Sequence, residues 1–180
     1  MRTTVVGGGS WGTALATVLA KKGPVQLWAR SKHIVDGINA THRNPVYQAD
    51  IELPKNILAT NDLNASVAGS ELVCIVVPSH AMREVVPQCV EHIPNSIPIV
   101  SASKGIENET LMTMDEVLKA CIPRQRHDDL AFLSGPSFAR ETLLEMATAV
   151  TIASKNSDLC KLVQTSFSTP YFRTYATDDV

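Results

Sequence analysis

The glycine-rich turn at residues 7–12 constrains this chain more than any other stretch. Thr3-Thr4-Val5-Val6 is a short β-branched run, and it breaks into Gly7-Gly8-Gly9-Ser10-Trp11-Gly12, which fits the spacing G-x-G-x-x-G. Apolar residues then recur at Trp11, Ala14, Leu15, Val18 and Leu19, the rhythm of a helix with one buried face. Gly23 and Pro24 are expected to stop that helix, with Gly23 just past its C-terminal cap. A second strand follows at Val25-Gln26-Leu27-Trp28-Ala29. Strand, glycine turn, helix and strand within about thirty residues are the parts of a βαβ unit that binds dinucleotides.

Each glycine of the turn has its own reason in this reading. Gly7 allows a tight exit from the strand, Gly9 leaves room for a pyrophosphate against the backbone, and Gly12 lets the helix pack close to the strand. The free N–H groups of the first helical turn, and the positive end of the helix dipole, then face the phosphates. The bland alternative is a structural turn between a strand and a helix.

Bulk properties exclude several classes of function. A net charge of −2 offers no basic field for nucleic acid or an anionic membrane. No apolar stretch approaches the roughly 20 residues of a membrane span, and the first strand begins too early to leave room for a signal peptide. Cys74, Cys89, Cys121 and Cys160 are widely spaced, as expected of reduced, cytoplasmic, mostly buried thiols. The five histidines show no ligand spacing, and no metal site is expected.

Strands and helices alternate along the rest of the chain. Further strands are expected at 57–60, 71–78, 97–102, 130–133, 148–153 and 171–175. Helices are expected at 33–39, at 62–68 capped by Asp62, after Ser79 as N-cap, and at 110–120 with Leu111, Met114, Val117 and Leu118 on one face. Another spans 157–167 with Leu159, Leu162 and Val163 inward, while 124–129 reads as a surface loop. The fold class implied is α/β: a doubly wound, mostly parallel Rossmann sheet with helices on both faces. Ligands of such sheets bind beyond the carboxyl ends of the strands, where the glycine turn, Arg30, Pro78-Ser79, Lys104-Gly105 and residues 134–137 all fall.

Some of those residues suit particular chemistry. Arg30 stands where NAD-selective units carry an acid, so it suits a 2′-phosphate or stacking on adenine; a solvated arginine is the plainer alternative. This favours tolerance of, or preference for, NADP, with NAD still open. An ammonium at Lys104 suits a phosphate or a carbonyl oxygen gaining charge during hydride transfer, and otherwise is a lysine in a turn. Gly135-Pro136-Ser137 offers N–H groups and a hydroxyl, an anion site if a helix starts near Phe138. Trp11 suits the cofactor or the core equally well.

Taken in order, these stretches resemble the N-terminal domain of the NAD(P)-dependent glycerol-3-phosphate dehydrogenases. The resemblance rests on Gly7 to Ala16, Leu27-Trp28-Ala29-Arg30, His42-x-Asn44-x-x-Tyr47, Leu53-Pro54-x-Asn56 and Val77-Pro78-Ser79. It continues through Ser103-Lys104-Gly105-Ile106-Glu107, Ser134-Gly135-Pro136-Ser137-Phe138-Ala139-x-Glu141, Thr148-Ala149-Val150 and Phe172-Arg173-x-Tyr175-x-x-Asp178-Asp179-Val180. The Ser-Lys-Gly-Ile-Glu and Ser-Gly-Pro-Ser-Phe-Ala stretches are its most specific parts.

The resemblance implies interconversion of dihydroxyacetone phosphate and sn-glycerol 3-phosphate with NAD or NADP, a step that feeds phospholipid and carbohydrate metabolism. It implies that Ser10, Trp11, Arg30, Tyr47 and Ala139, with the turn glycines Gly7, Gly9 and Gly12, line the cofactor. Lys104 would touch both cofactor and substrate, and Gly135 and Ser137 would touch substrate. It also implies a cytoplasmic homodimer in the full-length protein. Two departures stand out. Family members carry a Gly-Leu-Pro-Thr-like segment where this chain reads Glu145-Met146-Ala147-Thr148. The family also has a second, helical domain that supplies a proton-transferring lysine; residues 1–180 are expected to be the NAD(P)-binding domain alone. The competing expectations are a dinucleotide-binding module without catalysis, or a different two-domain hydroxy acid dehydrogenase.

Overall fold

The glycine turn and its flanking strands set the frame for the whole sheet. In the computed structural model, which describes residues 1–180, β1 (Thr3–Val6) leads through the turn into α1 (Ser10–Ala20) and back to β2 (Val25–Trp28), parallel to β1. α2 (Lys32–Thr41) crosses to β3 (Ile57–Thr60), and α3 (Leu63–Val67) leads to β4 (Leu72–Ile75) on the other side of β1. α4 (Met82–Cys89), β5 (Ile99–Ser101), α5 (Met114–Cys121) and β6 (Leu130–Ser134) extend that side. α6 (Ala139–Leu143), β7 (Thr148–Ala153), α7 (Ser157–Phe167) and β8 (Phe172–Thr177) finish it. The strand order is β3-β2-β1-β4-β5-β6-β7-β8, and only β6 and β7 pair antiparallel. Its first six strands run in the order of a doubly wound nucleotide-binding sheet, whose crevice lies at the reversal between β1 and β4.

Helices on both faces explain the unbroken apolar runs. Val5, Leu72 and Cys74 point into one core with α1, α2 and α7, while Val6, Val73 and Ile75 point into a second with α3, α4 and α5. All six are fully buried, so period-two alternation gives no polar face. Each fully buried Leu or Ile of these cores contributes about 1.5–3 kcal/mol. β7 and β8 differ. Val150, Ile152, Phe172 and Thr174 are buried, while Ala149, Thr151, Arg173 and Tyr175 are exposed on the opposite face.

Several local expectations give way to longer-range packing. α1 ends at Ala20 with Lys21 as its right-handed cap, so Gly23 does not terminate the helix. Gly23 instead admits the N-terminus, since a Cβ there would lie 2.5 Å from the Met1 carbonyl oxygen. α5 starts at Met114 rather than 110, because Thr113 and Glu116 close a capping box. Leu111, expected on the buried face, is left-handed and 76% exposed. Ser79 opens a single 3₁₀ turn before α4 and makes no side-chain cap. Leu162 faces solvent, as the inward stripe of α7 is Leu159, Cys160, Val163 and Phe167. Residues 124–129 form 3₁₀ turns, in which Arg126 donates to the carbonyls of Ile93 and Pro94. The Asp62 cap is present, accepting from the Ala65 N–H at 2.9 Å. No helix is long and apolar enough to cross a membrane.

Candidate functional site

A cleft of about 620 Å³ opens at the carboxyl ends of the strands, in the size range of small-molecule sites. The turn Gly7 to Gly12 forms one wall. Arg30 and Tyr47 border one end, Val76 to Pro78 with His80 and Ala81 stand opposite, and Ser103, Lys104, Ser137 and Ala139 close the other side. Residues far apart in sequence therefore meet because every parallel strand ends on the same rim.

The glycine wall is made by backbone. Gly7 has φ +135, and a Cβ there would lie 2.3 Å from the Val76 carbonyl oxygen. A Cβ on Gly12 would lie 1.8 Å from the Gly7 oxygen, so only glycine allows α1 to start this close to β1. Gly9 is different: a Cβ there meets nothing within 4 Å. Packing does not require a glycine at that position, and the space beside it is open toward the cleft. The first N–H groups of α1 have no acceptor inside the helix. This is a cradle that fits a diphosphate on chemical grounds. Gly8, to which the sequence reading gave no role, packs against Ala29, whose Cβ would lie 2.5 Å from an added Cβ.

The opposite wall is made by side chains. Lys104 Nζ donates to the Ser137 carbonyl at 3.0 Å and is 3.2 Å from the Ser137 hydroxyl. It also lies 5.0 Å above the centre of the Trp11 ring, a cation–π contact. Partial burial pulls the Lys104 ammonium below the ordinary lysine range. Trp11 is half-buried, tilted against Phe172 at 6.5 Å between ring centres, and its indole N–H is buried without a protein acceptor. One tryptophan thus joins the α1 wall to the Lys104 wall, half packed against the core and half facing the cleft.

One expected site residue is placed differently. Gly135 does not line the cleft. It permits the close approach of β7, a Cβ there falling 3.0 Å from the Ala149 oxygen. α6 has five residues and starts after Phe138, too short to present a helix-terminus anion site, so Ser137 contributes through its hydroxyl and its carbonyl. At the Glu145 departure the backbone is left-handed, with φ 57, and the carboxylate pairs with Lys21 at 2.7 Å. The chain there adopts a conformation that glycine takes far more freely than glutamate.

Other residues shape the site that sequence reasoning did not assign. Asn44, 1% exposed, donates to the Gly8 carbonyl at 3.1 Å and to Thr13 Oγ1 at 2.8 Å. Its oxygen accepts the N–H groups of Val46 and Tyr47, both at 3.1 Å. Gln48 exchanges hydrogen bonds with Ser10, at 2.8 and 3.2 Å. The segment 44–48 is thereby tied to the glycine turn. The signal available was the Asn-Pro turn; its partners lie in a different βα unit. The buried thiols of Cys74 and Cys89 are raised by desolvation, Cys89 to about 11, which leaves no reactive thiolate there.

Comparison with known proteins agrees with this architecture. The sequence profile of the family described as NAD-dependent glycerol-3-phosphate dehydrogenase N-terminus matches residues 2–160. A glycerol-3-phosphate dehydrogenase [NAD(P)+] of Myxococcus xanthus is 48% identical over all of this chain and 54% of its own length. The crystal structure of the Coxiella burnetii glycerol-3-phosphate dehydrogenase superposes with a TM-score of 0.88 at 35% identity, covering 99% of this chain and 54% of that one. A ketopantoate reductase from Ralstonia eutropha shares the fold alone, with a TM-score of 0.69 at 18% identity over 100% of this chain and 57% of that one. The chain spans about half the length of the curated relatives it matches. On the profile match and these identities, it belongs to the NAD-dependent glycerol-3-phosphate dehydrogenase family and corresponds to that family's N-terminal part.

Proposed function

We propose that residues 1–180 are the NAD(P)-binding domain of an enzyme that interconverts dihydroxyacetone phosphate and sn-glycerol 3-phosphate. The observation that carries this is the placing of Lys104, against Ser137 and Trp11, on the same cleft as the glycine turn. A bound nicotinamide cofactor would supply or accept the hydride. In this reading the N–H groups of residues 9–12 hold the diphosphate, and Ser10, Trp11, Tyr47 and Ala139 line the cofactor. Arg30, exposed at the end of β2 where an acid would repel a phosphate, accommodates the 2′-phosphate of NADP and still allows NAD.

Lys104 and Ser137 hold the small phosphorylated substrate. Hydride delivery to the carbonyl carbon would build negative charge on the carbonyl oxygen, and the Lys104 ammonium would stabilise it. Gly135 acts through backbone packing. The family resemblance assigns the accompanying proton to a lysine of the second domain. The same resemblance supports a homodimer, and together with four unpaired thiols a cytoplasmic setting.

The test is oxidation of NADH and NADPH with added dihydroxyacetone phosphate, on this chain and on the complete reading frame that carries it. Turnover by the complete frame, with cofactor binding alone by these 180 residues, is the expected result. Cofactor binding with no turnover in either would instead make the protein a dinucleotide-binding module. Arg30→Asp should weaken NADPH at least about tenfold more than NADH, about 1.4 kcal/mol; equal losses for both would remove Arg30 from the cofactor site.

A further inference from the structure

Outside the cleft lies an ion pair that the proposed chemistry does not use. Glu107 has a side chain only 10% exposed, yet it carries a carboxylate. Arg83 Nε donates to one oxygen at 2.7 Å and Nη2 to the other at 2.9 Å, while the Thr110 hydroxyl donates to the second oxygen as well. Charge and hydrogen bonding are thus satisfied by a bidentate fork. The arginine holds the carboxyl below the ordinary carboxylate range.

The position of this pair matters. Arg83 sits in the first turn of α4, directly after the segment whose Pro78, His80 and Ala81 line the cleft. Glu107 is three residues beyond Lys104, in a segment closed by hydrogen bonds from the Glu107 N–H to the Met112 carbonyl and from the Leu111 N–H to the Glu107 carbonyl, both 2.9 Å. On its other side Lys104 is anchored through the Ala102 N–H, bonded to the Ile75 carbonyl at 2.9 Å. Between the two anchors the chain passes through Gly105 at φ +110, a conformation that residues with a Cβ rarely adopt.

We propose that Arg83, Glu107 and Thr110 form a positioning clamp that fixes the loop after β5 to α4 and so holds Lys104 against Ser137 and Trp11. Arg83 and Glu107 are positioning residues and touch neither ligand. The kinetic part of the inference rests on the proposed role of Lys104; the geometric part does not.

Amine acetylation mapped by mass spectrometry tests the geometry on the chain itself. Glu107→Gln and Arg83→Met should each raise the labelling rate of Lys104 severalfold, with Lys22 and Lys32 unchanged as internal references. Unchanged Lys104 labelling in both variants would overturn the clamp, whatever the enzyme assay gives. Arg83→Lys, which keeps the charge but loses the fork, should label at an intermediate rate and serves if either other variant fails to fold. In the complete reading frame, Glu107→Gln should lower kcat about tenfold or more. In a Lys104→Ala background the same change should cost nothing further. Equal losses in both backgrounds would show that Glu107 does not act through Lys104. Failure of the wild-type frame to turn over would count against the proposed function, and the labelling result would still decide the clamp.

Discussion

The two walls of the cleft are built on opposite principles. The glycine wall is short in sequence, a strand end, a turn and a helix start within Val6 to Thr13, where Gly7 and Gly12 leave no room for a Cβ beside the Val76 and Gly7 carbonyls. The Lys104 wall is assembled from loops after β5 and β6 and from the Trp11 ring, and is held by side-chain contacts across long sequence distances. The first wall works by what cannot be added to it, the second by groups that must be brought together. Substitutions should therefore fail differently on the two sides.

The sharpest contrast is within the glycine wall. Gly12→Val places atoms where the Gly7 oxygen already sits, and should cost at least about 4 kcal/mol, seen as loss of the cooperative thermal transition. Gly9→Ala meets nothing in the protein, so it should leave the melting temperature unchanged while weakening NADH in a fluorescence titration. A melting loss at Gly9 equal to that at Gly12 would mean that the turn is structural throughout.

On the other wall, Lys104→Ala should leave the fold intact and lower kcat/KM of the complete frame about 100-fold, about 2.7 kcal/mol of transition-state stabilisation. A near-normal rate would return Lys104 to a plain turn lysine. Its pH dependence sharpens the point. Burial lowers the folded-state pKa of Lys104, so the ammonium is lost at a lower pH than an ordinary lysine loses it. The burial cost to stability applies at pH values below that folded value and fades as pH rises toward the ordinary lysine range. Reduction should fall on the alkaline side before that range is reached, and Lys104→Arg should move the fall to higher pH.

Asn44 links the local wall to a distant segment, and its loss should cost less stability than Gly12→Val. Asn44→Ala leaves the Gly8 carbonyl and Thr13 hydroxyl short of a donor, and should cost about 1–3 kcal/mol in urea unfolding. NADH affinity should weaken with it, as Tyr47 and Gln48 lose their anchor. A stability loss with full affinity would confine Asn44 to packing.

These differences track what the chain shows before folding. Gly7, Gly9 and Gly12 could be read directly, because a βαβ turn encodes its own geometry within a dozen residues. The parallel strands could be read from runs such as Leu72 to Val77, since burial on both faces leaves no alternation to hide them. Lys104 and Ser137 were visible as candidates through their place at strand ends and through family resemblance, but their contact was not. Leu111 and Leu162 misled because helical spacing alone does not say which face is covered, nor that a capping box at Thr113 would take the helix start.

The amino-acid sequence by itself determined the elements, the mostly parallel sheet, the glycine cradle and the family. Periodicity, steric exclusion and short-range capping act between neighbours in the chain, so they are written there. Only the tertiary structure decided that Trp11 bridges the two walls, that Asn44 ties its segment to the Gly8 carbonyl, that Gly135 serves β7 rather than the cleft, and that Arg83 and Glu107 pin the loop bearing Lys104. Each of those rests on side chains from separate βα units meeting within hydrogen-bond or packing distance, and that meeting is set by strand order and register, which no local pattern specifies.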